Sequence, residues 1–269
     1  MDMVSYDVSD TSRPEAVGEA SHAVKSSGKA AFLNGGSEMG ERMRAFDWAS
    51  TPLGAPEHWP QSLKAAVTFC LGSRMPIVIW WDREQAFQFY NDAYISFLGP
   101  TKHPAYLGRS GRECWKEIWE TMGPLWDRVF GAGEATWSED FLYVIERKMP
   151  REEGYFTFSY SPIRGDAGGV EGIFCACYET TDKVIGARRL ETLRRLGGQA
   201  MEAQSVADAC ERAEAVLREN PHDVPFARIY RLDPNGKLPV DAMAPEVLAS
   251  VVKSRQSAEL RGLEIPGGA

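Results

Sequence analysis

The stretch that most limits what this chain can fold into is Tyr155–Asp182, YFTFSYSPIRGDAGGVEGIFCACYETTD. Its two arms are filled with aromatic and β-branched residues, and Arg164-Gly165-Asp166-Ala167-Gly168-Gly169 between them supplies tight-turn chemistry. In the first arm Phe156, Phe158 and Tyr160 share one face, and Thr157, Ser159 and Ser161 share the other. The second arm is apolar on both faces, with Val170, Phe174 and Ala176 on one and Ile173, Cys175 and Cys177 on the other. A strand of that kind has to be covered on both sides. After Glu179-Thr180-Thr181-Asp182 the pattern changes from period two to helical.

The upstream chain supplies partners for this hairpin. A lead-in over 1–38, rich in Ser, Asp, Glu, Gly and Ala, is expected to be disordered, and His22 within it to be solvated. Helical spacing begins at Met39, Met43 and Phe46. Leu63, Ala66, Val67, Cys70 and Leu71 then mark an amphipathic helix over Gln61–Gly72, with Pro60 at its start. Ile77–Asp82 and Ala86–Tyr90 read as two strands joined by a polar turn short enough to make them antiparallel. Asn91-Asp92 is an N-cap for a helical turn or two ending at Gly99-Pro100. Two helices are expected over Arg112–Met122 and Pro124–Gly131, then a strand over Thr136–Arg147.

Downstream of Asp182 the chain reads as helical to about Glu219. Leu193, Leu196, Ala200, Ala203, Ala207 and Cys210 form a weak heptad seam, fit for either a linker helix or a parallel dimer helix, with Gly197-Gly198 weakening it. Val224–Asp233 is expected to be a strand and Pro245–Glu259 a helix. That last segment carries too little apolar material for a core of its own.

The net charge of −8 disfavours non-specific binding to nucleic acid or anionic membrane. No run reaches the apolar length of a membrane span, and no secretory signal is visible. Five cysteines, Cys70, Cys114, Cys175, Cys177 and Cys210, lack metal-ligand spacing and read as reduced core thiols in a cytoplasmic protein. No nucleophile elbow, phosphate-cradling loop, kinase nucleotide motif or phospho-accepting histidine box is present, so no catalytic residue is assigned and the chain is not expected to be an enzyme.

The order of elements, with PIVIWWDREQAFQFYNDAYISFLG, YLGRSGRECW and the final hairpin with its YETTD exit, resembles a PAS domain over residues 73–182. Glu179-Thr180-Thr181 stands where many PAS domains carry Asp-Ile-Thr. FDWASTPLGAPEHWPQSL is similar to the N-terminal extension of PAS domains in bacterial sensor histidine kinases, and PHDVPFARIYRLDPNGK to the start of a GAF domain. The resemblance implies an α+β fold: a five-stranded antiparallel sheet with helices on one side, an N-terminal helical extension over 39–72, a signalling helix over 183–204 and an incomplete GAF-like segment over 205–269.

The same resemblance implies a sensor module, the N-terminal part of a histidine kinase or related signalling protein, passing ligand or partner binding to a downstream output through the exit helix. Residues expected to line its pocket are Trp80, Phe89, Asn91, Tyr94, Trp115, Phe158, Tyr160 and Phe174, with Arg109 as a further polar point. Signal coupling is expected at Glu179, Thr181 and Asp182. A small-molecule ligand of unknown identity is expected. The flavin-adduct cysteine has Gly111 in its place, and His103, in a loop, is a weak haem candidate. The expected partners are a second copy of the chain and a downstream kinase or other output domain, with no nucleic acid and no membrane. A ligand-free dimerisation module and a haem or flavin sensor are the alternatives.

Overall fold

The computed structural model describes residues 31–35, 38–239 and 242–254. In chain order it contains α1 (Glu38–Ala45), α2 (Gln61–Gly72), β1 (Ile77–Trp81), β2 (Phe87–Tyr90), α3 (Ile95–Lys102), α4 (Gly111–Cys114), α5 (Trp119–Ala132), β3 (Thr136–Ile145), β4 (Glu152–Arg164), β5 (Val170–Glu179), α6 (Thr181–Glu202), α7 (Val206–Arg218) and α8 (Pro245–Ser254). Residues 1–30 of the lead-in, with His22, and the last fifteen residues lie outside the described residues; the end of the lead-in is not disordered as expected, since Ala31–Leu33 forms a 3-10 turn and Leu33 is buried.

The five strands form one antiparallel sheet in the order β2-β1-β5-β4-β3. Its first hairpin closes at Asp82, whose carboxylate accepts hydrogen bonds from the Glu84 and Gln85 amides at 2.9 and 2.7 Å. The β4–β5 turn closes with the Gly165 amide donating to the Gly169 carbonyl at 2.8 Å, and Gly168 takes φ 88°, a conformation that glycine adopts without a Cβ clash. β5 lies between β1 and β4, so its double-sided apolar pattern is that of a central strand.

Strand alternation divides the sheet into two faces. Trp80 sits opposite Ile173, and Val78 opposite Cys175, which in turn sits opposite Tyr160. These residues face α3, α4 and α5; Phe97, Met122 and Trp126 from α3 and α5, with Trp115 just after α4, complete the packing. On the other face Ile79 sits opposite both Phe89 and Phe174. That side is covered by α2, which buries the five residues its spacing marked, and by an aromatic cluster from the extension. Trp48 stacks on Phe89 at 5.1 Å and meets Trp59 edge-on at 4.9 Å. The Trp48 indole N–H donates to the Met43 carbonyl at 2.7 Å, which ties α1 to the same cluster.

Three local expectations give way. The break expected before Pro124 comes earlier, after Ile118, and Pro124 lies within α5. Its ring forfeits one backbone hydrogen bond, while buried Met122, Trp126 and Val129 hold the helix down. The long helix after Asp182 is two helices. Ser205 caps α7 by accepting from the Asp208 amide, and Asp208 accepts in return from the Gln204 amide. α7 then folds back on α6, with Arg188 paired to Asp223 and Asn220 bonded to Thr192. Leu196 is half-buried while Leu193 is 65% exposed, and Ala203 ends α6 in extended backbone, so the expected seam is broken there. Gly197-Gly198 nonetheless stay helical. Val224–Asp233 is not a strand: it has no regular structure, and among the described residues no strand pairs with it.

Candidate functional site

The inner face of the sheet leaves a cavity of about 40 Å3 beneath α3–α5. Its wall is formed by Trp80 from β1, Tyr94 and Phe97 before and within α3, Trp115, Ile118 and Met122 from the helical run, Tyr143 and Ile145 from β3, Phe156, Phe158 and Tyr160 from β4, and Cys175 and Cys177 from β5. All are carried by regular elements or their caps. The volume is enough for a few water-sized groups. It is far below the roughly 300–1,000 Å3 of a cleft for a drug-sized ligand or cofactor, so this cavity does not fit a haem or a flavin.

The wall is apolar and uncharged. Burial pushes the thiol of Cys175 and the phenol of Tyr160 well above their ordinary values, so both stay protonated. The Tyr143 phenol rises to about 12 for the same reason. Its hydroxyl lies near that of Tyr160 but makes no well-formed hydrogen bond, which leaves a buried polar atom in an apolar chamber.

Of the residues expected at the pocket, the structure places Trp80, Tyr94, Trp115, Phe158 and Tyr160 on its wall and brings Phe89, Asn91 and Phe174 elsewhere. Phe89 and Phe174 are one residue out of phase with Trp80 and Cys175, so the pleat turns them to the other face. Asn91 is a fastening. Its side-chain oxygen accepts from the Ile77 and Tyr94 amides, and its amino group donates to the Ser73 and Met75 carbonyls at 3.0 and 2.6 Å. Arg109 is absent from the wall and meets the sheet through its carbonyl, which accepts from the Gln88 amide. His103 sits outside the cavity too, where its ring nitrogens bond the Tyr90 hydroxyl and Glu38 at 3.0 Å each. Cys175 and Cys177, read as core filling, are wall residues.

Two functional residues were missed. Gln88 is fully buried within FQFY; its side-chain oxygen accepts from the Trp80 and Trp115 indoles at 3.0 and 3.1 Å, which fixes two tryptophans of the wall. A polar residue on the inward face of an apolar strand was the available signal. Arg147 is the second. Buried two residues past the end of β3, it pairs with Glu152 and donates to Glu179 at 2.7 and 2.9 Å. Glu179 accepts from the Thr181 hydroxyl at 2.9 Å, and that hydroxyl accepts from the Tyr155 amide. The Arg147 guanidinium lowers the carboxyls of both Glu152 and Glu179 below their ordinary 4.5. The Asp182 side chain is exposed and joins no hydrogen bond or ion pair among the described residues.

This latch borders the cavity through the sheet register. Wall residue Ile145 is paired with Glu152, and wall residue Phe156 with Glu179. Among the described residues there is no cluster of three or more His, Cys, Asp or Glu that would hold a metal, and no helix long and apolar enough to cross a membrane.

Residues 72–185 match the family model described as the PAS fold. The cavity, the latch and the sheet thus belong to a PAS domain, with α1 and most of α2 before it and α7 after it. No curated protein matches the chain. Solved structures with a similar arrangement include a sensory box sensor histidine kinase from Vibrio cholerae, at 15% identity over 44% of this chain and 90% of that one, with a TM-score of 0.32. The PAS domain of Bordetella pertussis BvgS gives 19%, 49%, 96% and 0.36 in the same order. The Rhodobacter sphaeroides LOV protein gives 13%, 61%, 88% and 0.36.

Proposed function

We propose that this chain is a sensor module that binds a small, uncharged, mostly apolar molecule in the inner cavity and passes occupancy to the start of α6. The observation that carries this reading is the shared backbone of wall and latch: Ile145 and Phe156 face the ligand space, and their strand partners Glu152 and Glu179 hold Arg147. A ligand that moves either wall residue moves a carboxylate of the latch. Thr181, bonded to Glu179, is the first residue of α6. Tyr143 would supply the one hydrogen bond to a polar atom of the ligand. Ligand binding shifts the population between two latch states only by its differential affinity for them. The output is a histidine kinase or a related signalling enzyme, and residues 205–269 belong to a GAF-like unit.

The test is native mass spectrometry of the full chain, followed by thermal-shift titration with indole and phenol as neutral aromatic probes, each larger than the resting space of about 40 Å3 and admitted only as the wall opens. A co-purifying neutral molecule, or stabilisation by a probe, supports sensing. The amides of Thr181–Ile185 should then change hydrogen-exchange rate on binding, and Arg147→Met should abolish that response while leaving affinity within about threefold. A chain that carries nothing and is stabilised by neither probe would sink the reading.

A second reading, dimerisation, is favoured by the bare part of the outer face. Trp137, Leu142, Val144 and Tyr178 lie there together, 40–66% exposed. Contiguous apolar surface of this kind marks an association site. The partner is a second copy of the chain.

A further inference from the structure

Two residues of the cavity wall have chemistry that sensing of an inert molecule does not use. Cys175 and Cys177 lie two apart on β5, point to the same side and are 3% and 4% exposed. The Cys177 thiol lies close enough to help hold that of Cys175 protonated. The Cys177 thiol also donates to the Pro76 carbonyl at 3.7 Å. A third sulfur, the Met122 thioether, lines the same space. Soft donors of this kind select soft acceptors.

The surroundings decide which soft acceptor. No charged residue lines the cavity, and an isolated charge buried in such a place is costly. The bound product must therefore be neutral. Two thiols binding Cu(I) lose two protons and leave a complex of charge −1. Two thiols binding a thiophile that sheds two anionic leaving groups leave no charge. Mercuric chloride gives Hg(SR)2 and two HCl. Methylarsonous acid, CH3As(OH)2, gives CH3As(SR)2 and two waters. Neither reaction changes an oxidation state, so no oxidant is required. A direct disulfide suits the pair less well. Same-strand neighbours at i and i+2 lie about 6.6 Å apart at Cα, near the upper limit for a disulfide, whereas a bridging atom lengthens the reach between sulfurs.

We propose that Cys175 and Cys177 form a dithiol site for a soft thiophile that becomes neutral on binding, either divalent mercury or a small monoalkyl arsenic(III) species, with Met122 as an additional soft contact. The proposal rests on the cavity being open to small molecules, as in the sensor reading.

The experiment uses the full reduced chain with HgCl2, methylarsonous acid and Cu(I) as separate probes, each in competition with excess glutathione. One equivalent of mercury or arsenic is expected to be retained, because a tethered second thiol raises affinity by about 10²–10⁴-fold over a single one. Cys175→Ala or Cys177→Ala should lose that factor, and Cys210→Ala should not. Retention of mercury alone, or arsenic alone, assigns the source within the class. Wild-type affinity in both wall variants would overturn the proposal, as would Cu(I) held as tightly as the neutral adducts. If a wall variant does not fold, peptide mapping of the wild-type adduct decides. A bridged Cys175–Cys177 peptide supports the site, and occupancy at Cys114 or Cys210 instead overturns it. Indole stabilisation without thiophile retention would fail this inference alone, whereas loss of both would fail the cavity reading with it.

Discussion

The two faces of the sheet are built from similar residues and packed to different ends. The outer face under the extension is solid: Trp48, Trp59, Ile79 and Phe89 interlock with α2, and none is more than 3% exposed. On the inner face equally large rings, Trp80, Trp115, Tyr143 and Phe158, leave space between them. Part of the reason is polar. Gln88 draws the Trp80 and Trp115 indoles to one acceptor, so their orientation is set by hydrogen bonding and not by packing alone. Aromatic content does not distinguish a core from a chamber. Polar fixing of the rings does.

The largest expected loss follows from that contrast. Trp48→Ala removes a stacked, fully buried ring and its hydrogen bond, and should cost about 3–5 kcal/mol in urea unfolding. The cavity should still stabilise with its ligand in the fraction that remains folded. A smaller loss would mean that the extension is an accessory and not half of the core.

Arg147→Met is next. Removing one partner of a buried ion pair costs about 3–5 kcal/mol, but the Glu179 side chain is 29% exposed, so about 2–3 kcal/mol is expected after solvent screening. The pH dependence has a definite sign. Glu152 and Glu179 have lowered folded values, so the latch contributes fully above the unfolded value near 4.5 and loses its contribution as pH falls through the folded values. The stability gap between wild type and Arg147→Met should therefore be constant from pH 5.5 to about 7 and shrink in acid. A gap independent of pH would remove the electrostatic account of the latch.

The extent to which all this was legible in the sequence follows the same division. Period-two and period-3.6 patterns located all five strands and put α2 on its observed residues, because alternation and amphipathicity depend on backbone geometry alone. The faces were harder. Phe174 looked like a pocket residue and Cys175 like filler, since an aromatic ring is the usual wall material; strand phase relative to Trp80 decides otherwise, and phase depends on register across β1 and β5. Asn91 was correctly read as a cap, which is also why it is not free to meet a ligand. Arg147 could not be found from its neighbours, because its partners Glu152 and Glu179 meet it only once β3, β4 and β5 are assembled. The α6–α7 turn was written in Ser205-x-x-Asp208, a capping signal that a run of helix-favouring residues obscured.

A milder change tests whether the inner space is functional room or slack packing. Ile118→Phe places a ring at the cavity wall and should shift stability by no more than about 1 kcal/mol, since it fills space that is already present. Binding of indole or phenol should fall at least tenfold in the thermal-shift titration. If stability rises and binding is unchanged, the ligand space lies elsewhere.

The smallest effect on stability belongs to the bare half of the outer face. Trp137 is 66% exposed and sits across from Ser159, away from the cavity and from the extension. Trp137→Glu should alter the unfolding free energy by no more than about 0.5 kcal/mol, as surface substitutions do. Its consequence should appear in sedimentation instead. A charge set among Leu142, Val144 and Tyr178 would have to be desolvated in any pairing of this face with a second copy, so the self-association constant should fall at least tenfold. An unchanged constant would leave the outer face with a single role, that of carrying the extension, and would move the dimer contact to another surface such as the exposed Leu190–Leu193 side of α6.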